Sequence, residues 1–316
     1  MKPGFDEDRP AIAQTSRNIQ FSLAHLSALD LTPPELVIAA AEANYDYVGL
    51  RFIGVTAGGA AWPLWKDKAT MAGTKARMAE TGVGVLDVEL LKLLPDTDVR
   101  SFEHCIQAAA EIGARHLLTQ ADDPEFSRLV DNYSRLCDLA APYGLSCDVE
   151  FIPWIQTANL KSAGALVKAS GRDNVGILID SLHFARAGCR LEELDEWPAA
   201  WFHYIQLCDA PAKGPATVGG LIYAAREERL LPGDGELDLM GIMRHLPYPI
   251  VIGIEMPAET LSFTASPGER AAMARESALR LFQRNGYPAA DGGDKSNAPR
   301  GTVTADPLLQ WKLDDP

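Results

Sequence analysis

Eight strand-like runs, recurring roughly every 30 residues, constrain this chain more than any other feature. They fall at 19–24, 47–51, 84–89, 116–120, 146–151, 175–180, 202–207 and 250–255. Several are rich in β-branched residues, as in Val175-Gly176-Ile177-Leu178-Ile179-Asp180, a composition that suits parallel strands buried on both faces. Helix signals fill the gaps. Thr32-Pro33-Pro34-Glu35 reads as an N-cap, a proline in the first turn and a glutamate three residues on. Leu36, Ala39, Ala40 and Ala43 follow at helical spacing. Asp123-Pro124-Glu125 opens a second helix, which Tyr143-Gly144 closes. A third runs over 159–170 with Gly171 as its C-cap, and the last over 269–285 up to Gly286.

Eight βα units favour a closed barrel over a doubly wound sheet, although the length alone also admits two domains. The expected fold class is therefore α/β, a single (β/α)8 TIM barrel over 18–286 with polar extensions at both ends. These extensions are an N-terminal arm over 1–17 and a C-terminal tail over 287–316. Within the tail, Leu308-Leu309-Gln310-Trp311-Lys312-Leu313 is apolar enough to dock. The gap before the eighth strand holds an insertion over 210–236, rich in Gly, Pro and Arg. In a barrel it lies on the face where active sites are built.

Charge narrows the partners. Lys and Arg number 29 against 43 Asp and Glu, a net charge of −14 at pH 7. That balance argues against nucleic acid or an anionic membrane, which attract Lys and Arg. No apolar run approaches the roughly 18 residues of a membrane span, and the first residues lack the apolar core of a secretory signal. The five cysteines are odd in number and lack zinc-type spacing. They read as reduced thiols of a cytoplasmic protein.

Four polar residues end strands that otherwise read as buried: Glu150, Asp180, Gln206 and Glu255. Strand C-termini of a parallel barrel point into the active-site mouth. Four oxygen donors converging there suit a hard divalent cation such as Mg²⁺ or Mn²⁺. Three clustered carboxylates would repel one another without one. Asp180-Ser181-Leu182-His183 is the most specific local motif: the aspartate can bind metal while His183 hydrogen-bonds a substrate hydroxyl or carbonyl.

Glu150, the Asp180-x-x-His183 motif, Gln206 with Asp209 close behind, and Glu255 resemble the sugar phosphate isomerase/epimerase superfamily, the xylose isomerase-like TIM barrels. The resemblance covers about 19–285 in order and spacing. Gln206-Leu207-Cys208-Asp209-Ala210-Pro211, with Arg229-Leu230-Leu231-Pro232-Gly233-Asp234-Gly235, resembles one bacterial branch. It implies one divalent metal held by Glu150, Asp180, Gln206 and Glu255, with the two glutamates also moving protons. Ketose 3-epimerases of this family carry His where this chain has Gln206, while its 3-dehydroshikimate dehydratases and hydroxypyruvate isomerases carry Gln. Gln removes the only nitrogen ligand, which favours Mn²⁺, Mg²⁺ or Co²⁺ over zinc.

The expected chemistry starts with a metal chelated by a carbonyl and a neighbouring hydroxyl, which acidifies the adjacent carbon-bound proton and stabilises an enediolate. Returning the proton elsewhere gives an isomerase or epimerase acting on a small sugar or polyol-derived substrate. Expelling a β-hydroxyl gives the alternative, a dehydratase or keto-sugar lyase. Glu150 and Glu255 are the acid/base candidates, and His183 the third catalytic one. Substrate-binding candidates are His183, Trp154, Arg186, Arg229, Glu89 and Gln120, with Arg51 and His25 beside them. For Arg229 the alternative is an ion pair with Glu227 or Glu228, and for Trp154 it is core packing. His104, His116, His203, Tyr204 and His245 read as packing.

The Gly-rich run 54–59 lacks the P-loop Lys and the GxGxxG pattern, and reads as a βα loop with Trp62 and Trp65 near the substrate. There is no GxSxG elbow. Only six histidines and the acidic charge argue against a nuclease on the same barrel. The expected partner is a small carbonyl or polyol compound, with no nucleic acid and no membrane; a homo-oligomer is compatible with the sequence.

Overall fold

The computed structural model describes residues 19–56 and 58–287. The arm over 1–17, and all of the tail beyond Tyr287, lie outside the described residues. Eight parallel strands close into a barrel in chain order: β1 Phe21–Leu23, β2 Tyr47–Arg51, β3 Gly84–Leu93, β4 His116–Ala121, β5 Ser146–Glu150, β6 Val175–Asp180, β7 Tyr204–Leu207 and β8 Val251–Ile254. β8 pairs back onto β1, with Phe21 opposite Ile252, so no strand edge is left open. The (β/α)8 barrel read from the sequence is the observed fold.

Helices α1 Pro33–Glu42, α2 Lys68–Thr81, α3 Glu103–Glu111, α4 Phe126–Ala140 and α5 Leu160–Ser170 follow the first five strands. α6 Ser181–Arg186, α7 Val218–Arg226, α8 Leu239–His245, α9 Glu259–Ser262 and α10 Pro267–Arg284 complete the chain. Their ends are set by local chemistry. Thr32 and Glu35 form the reciprocal capping box that starts α1. α10 starts two residues before the expected 269, because Ser266 and Glu269 cap it in the same way and Pro267 sits in its first turn. Gly171, at φ 62°, ends α5 in the left-handed conformation that glycine adopts without strain.

Two elements depart from the expected pattern. β3 continues to Leu93, four residues past the run 84–89, because its far end pairs with the end of β4 after a register shift between Val88 and Leu91. The insertion contains α7, capped by the Thr217 hydroxyl on the Gly220 amide. Gly219-Gly220 in its first turn masked that helix in the sequence.

Alternation along the strands sorts the barrel interior. Leu86, Leu90, Leu118, Leu178 and Tyr204 form a buried cluster of their own inside the barrel. A larger apolar core, including Leu50, Val149, Ile177 and Ile205, lies between strands and helices. Side chains alternate at a period of two, so three members of this cluster have a polar neighbour two residues on: Gln120 after Leu118, Asp180 after Leu178, Gln206 after Tyr204. The apolar layer closes the barrel below these groups and gives them a dry floor.

Candidate functional site

A cavity of about 270 Å³ opens at the C-terminal ends of the strands, small for a ligand pocket. Parallel pairing places its polar groups side by side. Gln120 is in register with Glu150, and Asp180 with Gln206. Arg51, Glu89, Gln120, Glu150, His183 and Glu255 line the cavity, with Trp154 and Arg229. The carboxylates of Glu89, Glu150, Asp180 and Glu255 are all buried, as are the guanidiniums of Arg51 and Arg229.

The geometry is built from three linked groups. Glu150 accepts from Gln120 Nε2 at 2.7 Å and lies 3.9 Å from His183 Nε2. Ligand-type atoms of Glu150, Asp180 and His183 lie within 4.8 Å of one another. Asp180 caps α6, its Oδ1 accepting from the amides of Leu182 at 2.7 Å and His183 at 3.0 Å. The Asp180-x-x-His183 spacing thus makes one residue both helix cap and acidic wall, and turns His183 into the same space. Trp154 stands edge-on to the His183 ring at 5.4 Å.

Arg229 forms the second group. It donates to Asp180 Oδ2 at 2.7 Å, to the Glu255 carbonyl at 3.1 Å and to the Ala225 carbonyl at 2.8 Å, and its other nitrogen lies 2.9 Å from Glu255 Oε2. The expected alternative, an ion pair with Glu227 or Glu228, is not formed. Gln206 Nε2 donates to Glu255 Oε1 at 3.0 Å. Arg51 and Glu89 make the third group: Nε donates to Glu89 Oε2 at 2.8 Å, with a second short contact from the same guanidinium. His25 supports Arg51 from behind. It lies between the Arg51 amide (3.0 Å) and the Leu31 carbonyl (2.9 Å), with the Trp62 ring stacked on it at 4.2 Å.

Burial and charge set the protonation of the site. Burial, then the Asp180 charge, raises Glu150 to about 7. Burial also raises Glu255 well above the usual carboxylate range; Arg229 opposes that, and Glu150 and Asp180 add to it. Asp180 is held below the usual range because Arg229 and His183 together outweigh its burial. Burial lowers His183 to about 4 against the pull of Asp180, so its imidazole is neutral at neutral pH.

The donor set fits a hard divalent cation. Gln206 Oε1 is buried with no hydrogen-bond partner, an orphan acceptor beside the carboxylates. Four buried carboxylates face two buried guanidiniums, and a cation would favour the charged forms of Glu150 and Glu255, which burial disfavours. Three of the roughly four lone-pair sites of Asp180 are taken, by two amides and Arg229, which leaves one for a cation.

Other candidates lie elsewhere. The Arg186 guanidinium donates to the carbonyls of Pro211 at 2.7 Å and Ala212 at 3.2 Å, so the structure does not bring it to the cavity with the others. It clamps the start of the insertion instead. Thr56, Gly59 and Ala60 of the Gly-rich loop line the cavity, whereas Trp62 covers His25 and Trp65 packs on Phe52. Arg226 also lines the cavity and was missed, since nothing in a run of Arg and Glu marks which side chain faces inward. His116 and His203 are not simple packing: both rings hold the buried Asp148 at the opposite end of the barrel.

Comparison with known proteins then adds a family and several relatives. The model of the xylose isomerase-like TIM barrel family matches residues 37–284. The inosose isomerase of Bacillus subtilis is 29% identical over 135 residues, 40% of this chain and 45% of that protein. The 3-dehydroshikimate dehydratase of Pseudomonas aeruginosa is 28% identical over 116 residues, 36% of this chain and 18% of that protein. The chain thus spans less than half the length of these curated relatives. Among solved structures, the IOLI protein with a bound zinc atom superposes with a TM-score of 0.69 at 18% identity, covering 84% of this chain and 99% of that one. A probable 3-dehydroshikimate dehydratase from Bacillus anthracis gives 0.63 at 13% identity, covering 83% and 99%. At such identities these likenesses show the fold alone.

Proposed function

This chain belongs to the xylose isomerase-like TIM barrel family, and from that premise we propose that its barrel mouth moves a proton next to a carbonyl of a small sugar- or polyol-derived substrate, as a divalent-metal-dependent isomerase or epimerase. The observation that carries this reading is the pair of buried glutamates, Glu150 and Glu255, lining one cavity, with the Asp180 carboxylate close to Glu150 and the orphan oxygen on Gln206, which holds Glu255. The inosose isomerase relatives support the substrate class.

Glu150, Asp180, Gln206 and Glu255 would hold the cation. When bound, it would supply Lewis acidity, making the carbon-bound proton beside the carbonyl acidic and stabilising the negative oxygen that forms. The protein's own groups do the rest. Glu150, raised to about 7, sits near the working pH of a proton carrier, and Gln120 fixes its carboxylate. Glu255, which lines the same cavity, is held by Gln206 and Arg229. Neutral His183 offers one ring nitrogen to a substrate oxygen; its Nδ1 has no partner. Glu89 Oε1, also buried without a partner, accepts a substrate hydroxyl while Arg51 holds the other oxygen.

The second reading is a lyase: the same proton removal followed by loss of a β-hydroxyl. The dehydratase relative favours it, and so does Gln rather than His at position 206. A turnover screen of inososes, keto-sugars and 3-dehydroshikimate with Mn²⁺ present tests both. Rearranged ketone supports the first reading, conjugated absorbance with loss of water the second, and no turnover of any member opposes both.

A further inference from the structure

We propose that Arg226 binds an anionic group of the substrate, a carboxylate or a phosphate, so that this barrel acts on an acidic carbonyl compound rather than a neutral polyol. This inference deepens the function proposed above and rests on it. The mouth is charged in two layers. On its floor the carboxylates already have partners: Glu89 takes Arg51, Asp180 and Glu255 share Arg229, and Glu150 accepts from Gln120. Arg226, the last residue of α7, lines the same cavity half-buried. No carboxylate among the described residues lies within ion-pair distance of it.

Two of the acidic side chains around α7 are committed elsewhere. Glu228 accepts from the Thr260 amide at 2.9 Å, and Glu259 from the Tyr223 hydroxyl at 2.7 Å. Glu227, the next residue, is exposed at the edge of the same cavity, and its charge and that of Glu150 act on Arg226 without an ion-pair contact. A second half-buried cation stands close enough for its charge to act on Arg226: Lys92, whose ammonium rests on the Val55 carbonyl at 2.6 Å. Arg226 therefore brings to the cavity a charge that has lost part of its hydration and makes no ion-pair contact in exchange. Such a charge is unfavourable until an anion arrives. The planar guanidinium fork suits a carboxylate or phosphate in two parallel hydrogen bonds, and a neutral hydroxyl cannot compensate its charge.

Titration calorimetry on the full chain tests this with three non-reacting probes: shikimate for a carboxylate, myo-inositol 1-phosphate for a phosphate, and myo-inositol as the neutral control. Loss of a charge-assisted pair corresponds to about tenfold to hundredfold in affinity. Arg226→Gln is expected to weaken one of the two anions by that factor, to leave myo-inositol binding unchanged without lowering the unfolding midpoint, and to be partly rescued by Arg226→Lys. Which anion responds identifies the group. Anion affinities equal to wild type, equal weakening of all three probes, or a wild type that binds neither anion would each overturn the proposal. Turnover does not enter the readout, so failure here is separate from failure of the proposed chemistry.

Discussion

Arg229 lies 2.7 Å from Asp180 Oδ2 and 2.9 Å from Glu255 Oε2, so one side chain from the insertion ties the end of β6 to the end of β8. The insertion is docked to deliver it. The backbones of Asp209 and Leu230 exchange hydrogen bonds at 2.9 Å, and the Arg229 amide donates to the Pro257 carbonyl at 2.8 Å.

Removing the Arg229 charge leaves two buried carboxylates uncompensated. Arg229→Gln should destabilise the metal-free protein by about 3 kcal/mol, as expected for a broken buried ion pair. A divalent cation should restore more of the lost stability than it adds to wild type, because it takes over the same charges. Denaturant unfolding with and without Mg²⁺ checks both effects.

Gln206 Oε1 is the one uncharged member of the proposed ligand set, and it is an orphan. Gln206→Leu should weaken divalent-cation affinity by about tenfold to a hundredfold, the range seen when a supporting group of a metal site is lost. It should also lower metal-free stability by about 1–3 kcal/mol, since Glu255 Oε1 loses the buried Gln206 Nε2 donor. Calorimetric titration of chelated protein reads the first effect and its thermal unfolding the second.

Asp209 organises the insertion through its carboxylate, whose Oδ1 accepts from the Ala210 and Leu237 amides and whose Oδ2 accepts from Gly233. Gly235 lets the returning backbone approach: a Cβ there would lie 2.7 Å from the Ala210 nitrogen. Asp209→Ala should loosen 210–236 and displace Arg229, lowering kcat/KM about tenfold or more, as expected when a positioning contact remote from the chemistry is lost. Faster amide hydrogen exchange confined to that segment would identify the cause.

At the other end of the barrel, Asp148 accepts from His203 at 2.6 Å, from His116 at 3.1 Å and from Ser146 at 2.5 Å. Burial alone would raise its carboxyl, yet the two imidazoles hold it below the usual range. Burial alone would lower His203, yet Asp148 holds it above the usual range. Stability from the lowered Asp148 is present above about pH 3.9 and fades as pH falls through its folded value. Stability from the raised His203 is complete below about pH 6.5 and fades as pH rises through its folded value. The pair should therefore help most between about pH 4 and 6.5. Asp148→Asn should remove about 3 kcal/mol at pH 6 and flatten the alkaline decline, which unfolding free energies across pH would show.

The architecture was legible because its cause is local and repeated. An apolar run ending in Asp180, one of eight strand-like runs at a regular spacing, can be read without knowing its neighbours. Glu150, Asp180, Gln206 and Glu255 were visible for a related reason: a polar residue closing an apolar strand breaks the pattern. What the sequence hid were side-chain directions in loops. Arg186 and Arg226 are both arginines at helix C-termini, yet one clamps Pro211 and the other lines the cavity. His116 and His203 were read as packing because their partner, Asp148, is remote in sequence and sits inside a strand. The helix α7 was hidden by two glycines that its Thr217 cap overrides.

The central claim, proton transfer by Glu150 and Glu255 with a divalent cation, is tested most directly by solvent exchange. Scyllo-inosose and 3-dehydroshikimate are incubated in D₂O with chelated protein, with and without Mg²⁺, and the signal of the carbon-bound proton beside the carbonyl is followed by NMR. The account predicts exchange on at least one compound with Mg²⁺, its loss on chelation, its return on adding Mg²⁺, and a fall of about 10²–10⁴-fold in Glu255→Gln and in Glu150→Gln. Exchange that survives both chelation and the Glu255→Gln change would contradict it.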